Sequence, residues 1–154
     1  MNVAAIDPGQ KGAWAVYSTD GKDNATYVEP RNECQVAEVV EDLVNSGVTH
    51  VILENLATIP GKGTATSWTT SGIDWGGLYH TLQWNKIGIT TVNPAAWKKH
   101  FGLTGKDKKD SIALAKQFFP ALSLRVSDKH RTDSDGMAEA LLMLKYGIEK
   151  GLFV

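Results

Sequence analysis

A single cysteine, Cys34, in 154 residues excludes an intrachain disulfide framework and any zinc cluster built on several thiolates. Long apolar runs are missing as well. No stretch approaches the roughly 18–20 residues of a membrane helix, so no membrane partner is expected. The opening MNVAAIDPGQ lacks the charged-then-apolar layout of a signal peptide, which predicts a cytoplasmic protein. Internal repeats, linkers and low-complexity tracts are absent, and the length predicts one domain over residues 1–154. Net charge is almost absent too, at −1, which taken alone argues against a nucleic-acid partner. What is present is a composition 42% hydrophobic and 21% charged, that of a folded globular chain.

The charge is unevenly placed. Residues 1–60 carry nine acids and three bases, whereas residues 86–131 carry ten bases and three acids, a local +7. That basic stretch holds Lys86, Lys98, Lys99, Lys106, Lys108, Lys109, Lys116, Arg125, Lys129 and Arg131. A solvated helix face gives the same count, but so does a surface for a polyanion.

Apolar patterning predicts strands over Asn2–Asp7, Gly12–Ser18, Ala25–Glu29, Thr49–Glu54 and Ile89–Val92. Helical spacing falls at Glu33–Asn45, Ile73–Asn85, Ala95–Phe101, Lys106–Phe118 and Asp135–Lys150. Asn55–Gly72, rich in Gly, Ser and Thr, reads as a loop. This order implies an α/β fold with a mixed five-stranded sheet. Its first three strands form an antiparallel meander, and the first strand pairs in parallel with the later ones.

Two acids end apolar strands: Asp7 after Ala-Ala-Ile and Glu54 after Val-Ile-Leu. If those strands are parallel neighbours, both carboxylates emerge at the C-terminal sheet edge, where open α/β sheets place ligands. Asp135 and Glu139, at i and i+4, share one face of the last helix. Each acid alone has an ordinary explanation as a turn or helix-end charge. Together they would repel by about 4 kcal/mol per close pair at an effective dielectric of ~20. They must take up protons or bind a cation. All-oxygen ligation selects Mg²⁺ or Mn²⁺ over zinc, and two such ions suit phosphodiester hydrolysis.

Gly61-Lys62-Gly63-Thr64 fails as a Walker motif, since Leu56 replaces the first glycine and Gly63 the Ser/Thr, so no nucleotide cofactor is expected. Lys62 and Trp68 on the loop after Glu54 remain candidates to hold a backbone or stack on a base. His130, between Lys129 and Arg131, is the candidate for proton transfer. Trp14, Trp84 and Trp97 lie in regular elements and are expected in the core, with Trp75 covering it. Cys34 is expected to be inert.

Ile6-Asp7-Pro-Gly-x-x-Gly12-Ala13, Val51-Ile-Leu-Glu54 and Asp135-Gly-Met-Ala-Glu139-Ala-Leu-Leu resemble the RuvC-like Holliday junction resolvases. Gly61-Lys62-Gly63, Trp75-Gly-Gly-Leu and Val92-Asn-Pro-Ala-Ala-Trp97-Lys-Lys point to their compact phage and chloroplast branch. The resemblance implies the ribonuclease H-like fold and a homodimer that nicks two strands of a four-way DNA junction symmetrically. It implies Mg²⁺ or Mn²⁺, two per site, held by Asp7, Glu54, Asp135 and Glu139. Asp128 and Asp133 also precede the last helix, and Asp133 is the reserve third ligand. Lys62, Trp68, Lys98, Lys99, Lys106, Lys108, Lys109, Lys129 and Arg131 are the candidate DNA contacts. A looser endonuclease on forks and flaps, a hybrid-cleaving ribonuclease H and a non-catalytic junction-binding protein are the competing readings.

Overall fold

The computed structural model describes residues 1–19, 25–32, 34–56 and 63–153. Gly61 and Lys62 of the Gly-Lys-Gly signal lie outside them. The elements are β1 (Asn2–Asp7), β2 (Ala13–Ser18), β3 (Ala25–Pro30), α1 (Val36–Asn45), β4 (Val48–Glu54), α2 (Ala65–Trp84), β5 (Gly88–Val92), α3 (Pro94–His100), α4 (Lys108–Phe118) and α5 (Asp135–Lys150).

The strands form one sheet in the order β3-β2-β1-β4-β5. β1 pairs antiparallel with β2, and β2 with β3, while β1–β4 and β4–β5 are parallel. The mixed topology expected from the patterning is therefore the one observed. A strand's side chains alternate between faces, and both faces of this sheet are covered. Ala4, Ile6, Trp14, Val16, Val51 and Leu53 pack with Val39, Val40 and Leu43 of α1 and with Leu78 and Leu82 of α2. Val3, Ala5, Ala13, Ala15 and Ile52 face the other way, toward α5, Trp97 of α3 and Ala115 of α4.

The middle of α5 is buried almost all round, and its charged residues lie toward the ends or on the cleft. Leu141, Leu142, Met143 and Leu144 have no exposed surface. Each such side chain contributes about 1.5–3 kcal/mol of burial. Alanines at 5, 13, 15, 138 and 140 keep the facing surfaces shallow and let α5 approach the sheet. The helix starts where Ser134 accepts the Met137 N–H, and it stops at Gly151, whose φ of 63° suits glycine.

α2 departs from expectation. It begins at Ala65, two turns earlier than predicted, so part of the expected loop is helix and Trp68 sits on its first turn. Ser and Thr favour caps and turns over helix interiors, which hid these turns. Here Thr64 and Ser67 cap each other reciprocally, and the hydroxyls of Thr69 and Thr70 bond back to the carbonyls of Ala65 and Thr66. A second correction concerns Trp84, which is 87% exposed at the end of α2 instead of packed in the core. The α1 and α4 starts also fall later than expected, at Val36 and Lys108, each behind a capping box.

Candidate active site

Register decides where the first two acids go. Ile6 pairs with Leu53 across the parallel β1–β4 ladder, and both point to the α1/α2 side. The residues that follow, Asp7 and Glu54, therefore turn to the α5 side at the C-terminal edge of adjacent strands. Two close approaches deliver the α5 acids to the same place. A Cβ at Gly12 would stand 2.0 Å from the Asp7 carbonyl oxygen, and one at Gly136 would stand 2.2 Å from that of Lys11. Only glycine lets the β1–β2 turn fold back on itself and the start of α5 rest on it. Asp7, Asp135 and Glu139 then line one cleft of 630 Å³. Its other walls are Pro8–Gly12, Lys108, and Ser67, Thr70, Ser71 and Asp74 of α2.

The four acids act on one another electrically. Burial holds the Asp7 carboxyl well above its ordinary range, and the charges of Glu54, Glu139 and Asp135 push it further. Burial also raises Glu54, with Glu139 adding to the effect and a hydrogen bond from Trp97 opposing it. Glu139 is raised by burial and by Asp135, against the pull of Lys98. Two lysines answer this charge. Lys98 Nζ lies 3.5 Å from Glu139 Oε1, and Lys108 Nζ lies 2.5 Å from Asp135 Oδ2. The Lys108 ammonium is correspondingly raised by Asp135. Of the expected DNA-contacting lysines, these two thus face the acids, while Lys99, Lys106, Lys109, Lys129 and Arg131 are exposed.

Asp133, the reserve third ligand, pairs instead with Lys116 of α4. His130 is exposed, shares a hydrogen bond with Ser127, and lines a neighbouring cleft with Asn32, Thr132 and Asp133 that meets the first along Gln10–Gly12 and Asp135. Trp68 packs on Gly63 and does not line the acidic cleft.

Three residues here escaped the sequence reading. Trp97 is buried in the core as expected, but its indole N–H also donates to Glu54 Oε2 at 2.8 Å. Trp75 donates to the Glu54 carbonyl at 2.9 Å. Arg31, 3% exposed, pairs with Asp74 on the cleft wall at 2.6 Å and donates to the Cys34 carbonyl. The sequence signals were the Trp75-Gly-Gly-Leu and Trp97-Lys-Lys motifs, 21 and 43 positions after Glu54; nothing in spacing marks Arg31.

The donor set suits a hard divalent ion in kind and in charge: carboxylates only, mutually destabilised, with ammonium groups set against two of them. Closure is incomplete, because among the described residues no three acid, histidine or cysteine side chains converge on one point as they stand.

Strand order and mixed pairing define the fold as the ribonuclease H-like fold of RuvC-type resolvases. RuvC of Thermus thermophilus superposes with a TM-score of 0.64 at 18% identity, over 98% of this chain and 97% of that one. The fowlpox virus Holliday junction resolvase matches at 0.57 and 20% identity, over 97% and 99%. The yeast mitochondrial Holliday junction resolvase Ydc2 matches at 0.54 and 15% identity, over 91% and 74%. No protein-family model and no curated protein sequence matches the chain.

Proposed function

We propose that this protein is a Holliday junction resolvase, a divalent-metal-dependent DNA endonuclease that makes paired nicks in four-way junctions. The observation that carries the reading is the meeting of Asp7, Glu54, Asp135 and Glu139 from two strand ends and one helix, within electrostatic reach of one another. It is supported by the fold and by the solved complex of Thermus RuvC with Holliday junction substrate, which superposes at a TM-score of 0.64 and 16% identity.

Asp7, Glu54, Asp135 and Glu139 would hold Mg²⁺ or Mn²⁺. Bound there, two ions would activate the attacking water and stabilise the leaving oxygen of a phosphodiester. The chain's own groups do the rest. Lys98 and Lys108 bring positive charge to the cleft, where a phosphate would approach. Ser67, Thr70 and Ser71 of α2 line the cleft as well. The substrate's two-fold symmetry is matched by a homodimer, each copy cutting one strand. No helix is long and apolar enough to cross a membrane among the described residues.

The test is nicking of a synthetic four-way junction in Mg²⁺ or Mn²⁺, with nick positions mapped and fork, flap, linear duplex and RNA–DNA hybrid run alongside. Paired symmetric nicks in the junction, lost in Asp7→Asn, are expected. Equal cutting of forks and flaps would replace the reading with a general branched-DNA nuclease. Binding without cleavage would leave a junction-binding protein, and undiminished cleavage by Asp7→Asn would overturn the site.

A further inference from the structure

Glu54 is held twice. Its carbonyl accepts the indole N–H of Trp75, and its Oε2 accepts that of Trp97 at 2.8 Å. Rotation about the terminal bond of a glutamate is soft and roughly two-fold, so an unanchored carboxylate samples many orientations. One fixed hydrogen bond removes that freedom. It leaves Oε1 outside that hydrogen bond, on a carboxylate close enough to Asp7 and Glu139 to interact with their charges.

The chemistry of the donor matters as much as its position. An indole N–H donates only: it has no lone pair with which to compete as a ligand, and it does not titrate. It is also neutral, so it steadies a carboxylate without adding a positive charge that would repel an incoming cation. Lysine or arginine in the same place would fail on that last count. Trp97 has no exposed surface, so its ring cannot swing away. The next residue on the same short helix is Lys98, whose Nζ sits 5.1 Å from the Trp97 ring centroid and near Glu139. A cation over an indole face at this range is attracted to it.

We infer that Trp97 is a positioning residue for metal capture: its N–H holds one Glu54 carboxylate oxygen and leaves the other for a cation shared with the neighbouring acids. The inference rests on the proposed metal-dependent reading of the site. Groups that orient metal ligands commonly contribute 10–100-fold in affinity.

Trp97→Phe keeps an aromatic ring, and a π face for Lys98, and removes only the N–H and part of the volume. Trp14 supplies the matched control. It is also buried, its indole donates to the Asp42 carboxylate at 2.7 Å, and it lies on the opposite face of the sheet. Mn²⁺ alone is titrated against each folded variant by calorimetry. Trp97→Phe is expected to bind about 10-fold more weakly, Trp14→Phe like the wild type. Combining Trp97→Phe with Glu54→Gln should weaken binding no further than Glu54→Gln does.

A second readout needs no metal. In ¹⁵N-indole spectra of the metal-free chain, Glu54→Gln should shift the Trp97 N–H resonance by changing a charged acceptor to a neutral one, and leave that of Trp14 in place. Wild-type affinity in Trp97→Phe, or an unmoved Trp97 resonance in Glu54→Gln, would overturn the inference. Wild-type protein that binds Mn²⁺ but nicks no junction would overturn the resolvase reading alone. Wild-type protein that takes up no Mn²⁺ would overturn both.

Discussion

Asp7 shows how a residue costly to the fold can stand at the centre of a proposed site. Its carboxyl is raised by burial first and by three neighbouring acids second, and Glu54 and Glu139 are raised for the same leading reason. A carboxyl raised on folding binds its proton more tightly in the folded chain than in the unfolded one. Its favourable contribution is complete below the ordinary carboxylate range and is lost as pH rises through the raised folded value. Asp7→Asn removes this source of repulsion. The metal-free variant should therefore melt above the wild type at pH 8, by on the order of 2–4 °C for each kcal/mol relieved, and the gap should close toward pH 4. Thermal unfolding in EDTA across that interval checks the sign, and a variant less stable than wild type at pH 8 would refute it. The acids themselves were legible in the sequence because each stands at an element boundary. Their partners were not: hydrogen bonding by Trp97 depends on a side-chain direction that no spacing records.

Among the elements, α5 was read to both ends, because Ser134, Asp135 and the Gly151 terminus give local start and stop signals. The first turns of α2 were hidden because Ser67 stands where a capping box ordinarily has Glu or Gln, and the following hydroxyls satisfy helix carbonyls from within. Trp84 defeats the assumption that a tryptophan in a helix is inward; only the docking of α2 decides which face is left out. The same contrast separates two glycines. Gly136→Ala would drive a methyl into the Lys11 carbonyl, lifting the start of α5 from the turn and Asp135 from Asp7. A loss of about 1–3 kcal/mol is expected, together with weaker Mn²⁺ binding. Gly72→Ala meets open space inside α2 and should gain up to about 1 kcal/mol. Urea denaturation of both variants measures the difference, and equal effects would show that the turn contact is not what seats α5.

At the scale of the whole molecule, the net charge of −1 conceals the working arrangement. Four of the acids that offset the basic segment are the proposed ligands, and two bound Mg²⁺ would bring the total to about +3. If about six phosphates are neutralised, the logarithm of junction affinity should fall with that of salt concentration at a slope of about −5. Binding measured in Ca²⁺ between 50 and 200 mM salt tests this, and a flat dependence would remove the basic segment from the interface. Sheet order was legible at this scale because a meander, a crossover and short connections leave few topologies open. Arg31–Asp74 was not, since it ties the end of β3 to the middle of α2 across 43 positions of chain.

Lys98 and Lys108 also bear on the order of events in the life of the chain. Each sets an ammonium against one of the clustered carboxylates, so the folded chain carries its own neutralising charge. Small metal domains whose ligands cannot meet until the ion arrives are unfolded without it. Under the proposed reading, a chain that balances its clustered acids in this way would not depend on the ion to fold. Loading would then be an exchange in which a diffusible cation replaces the two tethered ones of Lys98 and Lys108.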